Sequence, residues 1–119
     1  MHEASVTEGI FDTALQAVED NHLTEPVKAV HVTIGVTQGL IPESMQMFWE
    51  MIRPDTPLAQ AELVLHVQPM VAYCPACQIE RQLDAPVLFC PDCGGPMEMI
   101  KGKELVVTSI EVEDASDSR

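Results

Sequence analysis

The sequence has few positive charges and no long apolar segment. Its 119 residues include 6 Lys and Arg against 19 Asp and Glu, a formal charge of -13 with a pI near 4.4. Nucleic-acid binding needs clustered cations, so this balance argues against a nucleic-acid partner and disfavours anionic membranes. No apolar run approaches the roughly 18 residues of a membrane span. No cation precedes Lys28, as a secretory signal would require, so we expect a cytoplasmic protein without membrane insertion.

Two signatures of catalysis are also missing from the sequence. It contains no recognisable pair of nucleophile and base and no glycine-rich phosphate loop, and it has no internal repeat of useful length. A mean hydropathy of +0.08 and a hydrophobic content of 46% nevertheless argue against disorder. We therefore expect a small folded protein that is not an enzyme.

Hydrophobic periodicity predicts two amphipathic helices. In residues 6–20 the apolar side chains fall on one half of the helix circumference and the polar side chains on the other. Ser5 and Glu8 have the spacing of a capping box, which predicts a helix start at Ser5 and leaves residues 1–4 projecting ahead of it. A second helix is predicted over 42–52, where a proline suits the first turn.

Three further segments, 30–36, 61–67 and 104–112, have the apolar pattern of strands with one buried face. Residues 69–101 contain all four cysteines and no convincing helix, and we interpret them as a unit inserted between the last two strands. The elements predict an α/β (α+β) fold, with two helices packed on a small three-stranded mixed sheet that carries the insert. The polar residues 114–119 are expected to fray.

The four cysteines form two CxxC pairs, Cys74 with Cys77 and Cys90 with Cys93, separated by twelve residues. The two-residue gap lets both thiolates of a pair reach one ion, and the separation fits a tetrahedral four-cysteine site, a zinc ribbon, for Zn²⁺. A segment of about 30 residues with few large apolar side chains needs a cross-link such as a bound metal ion to fold. Four thiolates saturate the ion, so the predicted zinc is structural.

Other roles for the cysteines are weaker interpretations. Redox-active CxxC pairs are expected beside a strand-to-helix pattern, which residues 69–101 lack. Iron in a rubredoxin-like site uses the same four ligands, so an electron carrier stays open as an alternative. A zinc-ribbon adaptor that only contacts other proteins, without a transferable metal, is another alternative.

A second set of metal donors lies at the start of the chain, in Met1-His2-Glu3. Histidine is too large for the usual removal of the initiator methionine, so the amine is expected to stay on Met1. The Met1 amine, the deprotonated His2 amide and an imidazole nitrogen can then chelate one ion in the planar geometry that Ni²⁺ or Cu²⁺ accepts. The Glu3 carboxylate would be an auxiliary ligand. The alternative is an ordinary terminal histidine without a ligand role.

Several motifs occur together in a characteristic order. They are Met1-His2-Glu3 ahead of an amphipathic helix, Ile34-Gly35 at a strand end, Ile41-Pro42-Glu43 before a helix with Phe48, the two CxxC pairs, and Gly102-Lys103-Glu104-Leu105 followed by Ile110-Glu111-Val112-Glu113. This order resembles the HypA/HybF family of hydrogenase nickel-incorporation metallochaperones over residues 1 to about 113. Gln78 and Gly94 stand where some members carry a histidine after a cysteine pair.

The resemblance implies a carrier without enzymatic activity that binds Ni²⁺ through His2 and Zn²⁺ through the four cysteines. It implies an α/β nickel-binding domain, residues 1–68 plus 102–113, with a separate zinc-binding module, residues 69–101. It also implies two partners. A hydrogenase-maturation GTPase would work with the carrier, and the large subunit of a [NiFe]-hydrogenase would receive the nickel.

Overall fold

The structure is a computed structural model and describes residues 2–83 and 87–113. Its elements are α1 (His2–Asp20), β1 (Val27–Gly35), a 3₁₀ turn (Val36–Gln38), α2 (Pro42–Ile52), β2 (Glu62–Gln68), β3 (Met70–Cys74), β4 (Ile79–Leu83), β5 (Glu98–Lys101) and β6 (Leu105–Val112). Within the described ranges no helix is both long and apolar enough to cross a membrane. The predicted tail, 114–119, lies outside the described residues.

The strands form two three-stranded sheets, with the orders β2-β1-β6 and β4-β3-β5. The predicted fold class is confirmed, since two helices and a three-stranded sheet are present with a cysteine-bearing unit inserted between β2 and β6. Helix α2 has the predicted bounds, and β1 starts three residues before its predicted start at position 30. The sequence did not predict β3, β4 and β5. These strands are short, and β4 contains only two apolar residues, Ile79 and Leu83.

Helix α1 begins earlier than the capping-box prediction placed it. It starts at His2, so residues 2–4 lie in its first turn instead of in a projecting arm. The Ser5 hydroxyl donates to the carbonyl oxygen of His2 at 3.3 Å, and the predicted cap on Glu8 is wrong. Glu3 and Thr7 are both buried, so the packed face of the helix extends into this first turn. An acidic residue there also stabilises a helix N-terminus.

The two helices pack against each other through an aromatic pair. The rings of Phe11 and Trp49 meet edge to face, with centroids 5.7 Å apart and planes at 66°. The indole N–H donates to the carbonyl oxygen of Ala61 at 2.9 Å. Trp49, Met45 and Ala61 are completely buried. Because the buried indole keeps a hydrogen-bond partner, its large apolar surface is buried without leaving a donor unpaired.

Strands β1 and β6 run antiparallel. At one end the N–H of Gly35 donates to the carbonyl of Glu104 at 2.6 Å, and at the other the N–H of Glu113 donates to Pro26 at 2.9 Å. Between these ends, His31 on β1 and Glu111 on β6 pair through Nε2 and Oε1 at 2.6 Å. His31 lowers the pKa of the Glu111 carboxyl below its ordinary value. The side-chain pair therefore links two neighbouring strands.

Strand β3 is the centre of the second sheet. It pairs antiparallel with β4 from Met70 opposite Leu83 to Cys74 opposite Ile79, and it pairs antiparallel with β5 on its other side. Its alternate residues Met70, Ala72 and Cys74 are buried, as the pleat of a strand requires. The burial of Cys74 at the end of β3 places its sulfur inside this small core.

The chain divides into two compact units. The first contains the residues up to Val32, Leu40–Leu65 and the residues from Val107, and the second contains Thr33–Gly39 and His66–Val106. Both helices belong to the first unit. The cysteine-bearing sheet belongs to the second.

Within the second unit, the end of β1 lies against the turn between β5 and β6. The N–H and the hydroxyl of Thr37 both donate to the carbonyl oxygen of Gly102, at 2.9 and 2.6 Å. A Cβ on Gly35 would overlap that same carbonyl. Gly102 itself has a φ of 129°, which only glycine adopts readily. Two backbone segments distant in sequence therefore touch without side chains between them.

Candidate metal centres

The two CxxC pairs adopt the same local turn, and we call Cys74–Cys77 the first knuckle and Cys90–Cys93 the second. In the first knuckle the N–H of Gln78 donates to the carbonyl of Cys74 at 2.7 Å, and in the second Gly94 donates to Cys90 at 2.8 Å. Gln78 and Gly94 both have positive φ values, 57° and 73°. The left-handed residue ends each turn, so each knuckle curls its two sulfurs toward one point.

The four sulfur atoms have the spacing of a tetrahedral metal site. They all lie within 4.8 Å of one another. Sγ of Cys74 is 3.6 Å from Sγ of Cys93, and Sγ of Cys77 is 3.9 Å from Sγ of Cys90. A tetrahedron with Zn–S bonds of about 2.3 Å has sulfur–sulfur edges of about 3.8 Å. These distances are too long for disulfides, and all four cysteines are free.

The thiols lie close enough to perturb one another's protonation. Hydrogen bonds with Cys93 and Cys74, together with burial, raise the pKa of the Cys77 thiol to about 12. The backbone N–H of Cys93 lowers the pKa of the Cys90 thiol to about 7. Four thiolates this close repel one another, and a divalent ion that displaces their protons removes the repulsion. The soft, all-sulfur donor set therefore fits Zn²⁺ and also fits iron.

The second predicted set of donors lies at the start of α1. His2 is exposed in the first helical turn. The first four N–H groups of a helix have no acceptor within the helix, so the His2 amide is not engaged in the helical ladder. Met1, which was predicted to supply the amine, lies outside the described residues. Among the described residues only the four cysteines form a cluster of three or more metal-binding side chains.

Glu3 is tied to the start of the second helix. Its side chain is buried, with 5% of the residue exposed, and Oε2 accepts a hydrogen bond from the N–H of Ile41 at 3.1 Å. Ile41 precedes Pro42 at the N-terminus of α2 and provides no side-chain cap of its own. The amino terminus of the chain, then the N–H groups of Glu3 and Ile41, lower the pKa of Glu3 to about 2. The carboxylate thus carries its charge at the positive end of a helix.

Sequence reasoning assigned Glu3 to the metal and missed this contact with α2. The signal was present in Ile41-Pro42, because a proline at the first helical position follows an apolar residue that cannot cap. The free N–H groups at such a helix end need a hydrogen-bond acceptor from another part of the chain. Only the tertiary contact identifies Glu3 as that partner.

Comparison with known proteins gives one consistent family. The model of the HypA family, described as hydrogenase/urease nickel incorporation, metallochaperone, matches residues 1–112. The hydrogenase maturation factor HypA of Desulfatibacillum aliphaticivorans is 34% identical over 120 residues, which is 100% of this chain and 92% of the relative. That of Chloroflexus aggregans is 35% identical over 113 residues, 93% of this chain and 98% of the relative.

Two solved structures have a similar fold. The solution structure of the Ni metallochaperone HypA from Helicobacter pylori has a TM-score of 0.63 at 20% identity, covering 94% of this chain and 97% of its own. A second solution structure of a HypA protein has a TM-score of 0.66 at 20% identity, covering 95% and 97%. Because the identity is low, this likeness concerns the fold alone.

Proposed function

Since the chain belongs to the HypA family of hydrogenase and urease nickel-incorporation metallochaperones, we propose that it binds Ni²⁺ at its N-terminus and delivers it for maturation of a [NiFe]-hydrogenase. The family match over residues 1–112 is the observation that carries this proposal. The chain would act as a carrier without catalysing a reaction. Nickel is its cargo, so the site has to release the ion as well as bind it.

The proposed nickel ligands are the Met1 amine, the His2 amide and imidazole, and Glu3 as an auxiliary ligand. The position of His2 in the first turn of α1 supports this set, because an N–H outside the helical ladder can be deprotonated and metallated without breaking a helical hydrogen bond. Glu3 accepts the Ile41 N–H through one oxygen, and a carboxylate can accept from several directions at once. A terminal, exposed site is accessible to a receiving protein.

We assign a structural Zn²⁺ to Cys74, Cys77, Cys90 and Cys93. The tetrahedral sulfur spacing and the free thiols support this assignment. Zinc has no redox chemistry and prefers this ligand set, so the ion would hold the two knuckles together. A zinc-ribbon adaptor without transferable metal is the less favoured function, because it leaves the family match and the terminal donors unexplained.

We also propose that the chain has two domains, one for each metal. Residues 1–68 plus 102–113 would form the nickel-binding domain, and residues 69–101 the zinc-binding module. A hydrogenase-maturation GTPase and the large subunit of the hydrogenase are the proposed partners, in the cytoplasm. The family's role in hydrogenase maturation supports partners of this kind.

Calorimetric titration of the zinc-loaded chain with Ni²⁺ tests the proposal. We expect His2→Ala to abolish stoichiometric binding, and residues added ahead of Met1 to weaken it because they convert the amine into an amide. His22→Ala is the matched control, since His22 is an exposed histidine just beyond α1. Undiminished nickel binding by His2→Ala would disprove the assignment, and a wild-type chain that binds zinc but no nickel would favour the adaptor.

A further inference from the structure

An ion pair connects the second knuckle to a strand that follows the first. Arg81 is the central residue of β4, opposite Ala72 on β3, and its guanidinium pairs with the carboxylate of Asp92. Asp92 lies inside the second knuckle, between the ligands Cys90 and Cys93. The contact therefore joins the half of the metal centre that carries the first knuckle to the half that carries the second.

The two residues are placed differently with respect to solvent. The side chain of Arg81 is 29% exposed and that of Asp92 is 58% exposed. Arg81 is held by the pairing of β3 with β4, whereas Asp92 lies in a turn. Arg81 in the paired strand thus holds Asp92 in the turn. Because turns have fewer stabilising contacts than paired strands, the charge pair limits movement of the second knuckle.

Loss of the ion requires sulfurs to move away from it, and each CxxC pair supplies two of the four. The second knuckle contains the most exposed ligand, Cys93, while Cys74 and Cys90 are buried. Because Asp92 adjoins Cys93 in the chain, movement of Cys93 away from the ion would also pull Asp92 away from Arg81. The ion pair thus adds to the barrier for release at the point where solvent reaches the site.

We infer that Arg81 and Asp92 are positioning residues of the zinc centre, which hold the second knuckle closed and slow the loss of the ion. The inference rests on the zinc centre proposed above. Neither residue belongs to the four-cysteine cluster, and their charged groups contact each other.

Transfer of zinc from the zinc-loaded full chain to an excess of a chromogenic chelator tests the inference. We expect Arg81→Gln and Asp92→Asn each to release zinc about two- to five-fold faster, the range that a partly exposed charge pair supports. The two changes should not add in the double variant, because either one already breaks the contact. The charge-reversed double variant, Arg81→Asp with Asp92→Arg, should recover most of the slow release.

Glu50→Gln is the matched control, because it breaks the Arg53–Glu50 ion pair in the first unit and should leave zinc release unchanged. If Arg81→Gln fails to fold, Asp92→Asn alone decides, since its side chain is mostly exposed. Wild-type release rates in both single variants, or additive effects, would overturn the inference. Purified wild-type chain that contains no zinc would instead overturn the proposed metal centre, so the two failures are distinguishable.

Discussion

Glu3 combines a buried position with a full negative charge. Its carboxylate accepts the N–H of Ile41 at the start of α2, and its pKa of about 2 keeps it ionised at any physiological pH. A charge in this position is stabilised by the helix end and by the hydrogen bonds that it accepts. Glu3, which follows His2, therefore anchors the first turn of α1 to the start of α2. This contact does not require a bound metal.

Substitutions at Glu3 test whether nickel binding depends on this residue. We expect Glu3→Ala to weaken nickel binding by about ten-fold or more, the size of effect seen when a metal site loses a supporting contact. Glu3→Gln should lose less, because its amide oxygen can still accept the Ile41 N–H. Titration calorimetry on the zinc-loaded variants measures both, with Glu8→Gln, an exposed acid of the same helix, as the control. Nickel affinity unchanged in Glu3→Ala would show that nickel binding needs neither the contact of Glu3 with Ile41 nor a bond from Glu3 to the metal.

Local sequence signals were reliable for some residues and misleading for others. The CxxC spacing predicts that the four cysteines converge, because the two sulfurs of such a pair can reach one ion almost regardless of the surrounding fold, and the structure brings all four sulfurs within 4.8 Å of one another. Ser5 and Glu8 also had a recognised spacing, yet the helix starts at His2. Burial of Glu3 and Thr7 decides that start, and burial depends on what packs against the helix.

At the scale of elements, the periodic segments were predicted well and the short strands were not. The long apolar faces of α1 and α2 and the buried face of β1 identify them from the sequence. In β4 the residues between the ends are Glu, Arg and Gln, so no periodicity marks it as a strand. Its pairing with β3 and the cysteine cluster at their shared turn stabilise it instead.

The contact between the end of β1 and the β5–β6 turn gives a prediction with an internal control. Gly35→Ala should destabilise the chain by about 2 kcal/mol or more, because the added Cβ meets backbone atoms that cannot rotate away. Gly9→Ala should stabilise it by about 0.5–1 kcal/mol, because Gly9 lies inside α1 and a Cβ there meets nothing within 4 Å. Denaturant unfolding followed by far-ultraviolet circular dichroism measures both. Equal effects of the two substitutions would contradict the close approach.

The pair between His31 and Glu111 gives a pH-dependent prediction. The pKa of folded Glu111 lies below its ordinary value of 4.5, so its charge stabilises the folded chain above that pH, and the contribution is lost as the pH falls through the lowered value. Glu111→Gln should therefore lower the thermal midpoint slightly at pH 7 and lose this difference from wild type in acid. Glu62→Gln on β2 is the control. A difference that grows on acidification would contradict the assigned pairing.

At the scale of the whole chain, the proposed metals fall in different compact units. The first unit contains both helices and the proposed terminal nickel ligands His2 and Glu3, and the second contains all four cysteines. The single tryptophan, Trp49, is buried in the first unit against Phe11. The fluorescence of Trp49 thus monitors the core of the first unit, and the zinc content monitors the cysteine cluster of the second.

Removal of zinc should affect the two units unequally. We expect a strong chelator to abolish amide-exchange protection in β3, β4 and β5, because this small sheet has few buried apolar side chains apart from its cysteines. The emission maximum of Trp49 should stay where it is in the zinc-loaded chain. Cys93→Ser provides a second route to the metal-free state. A red shift of Trp49 emission on metal removal would show that the first core depends on the zinc.

The close approach of Gly35 to Gly102 also restricts how the sequence can diverge. A side chain at either position meets backbone, at the Gly102 carbonyl in one case and at the Cα of Met70 in the other. Backbone cannot be repacked by choosing smaller neighbours, so no single compensating substitution makes room. A point change at either glycine therefore costs stability at this junction, and a descendant avoids that cost by lengthening or re-routing a whole segment.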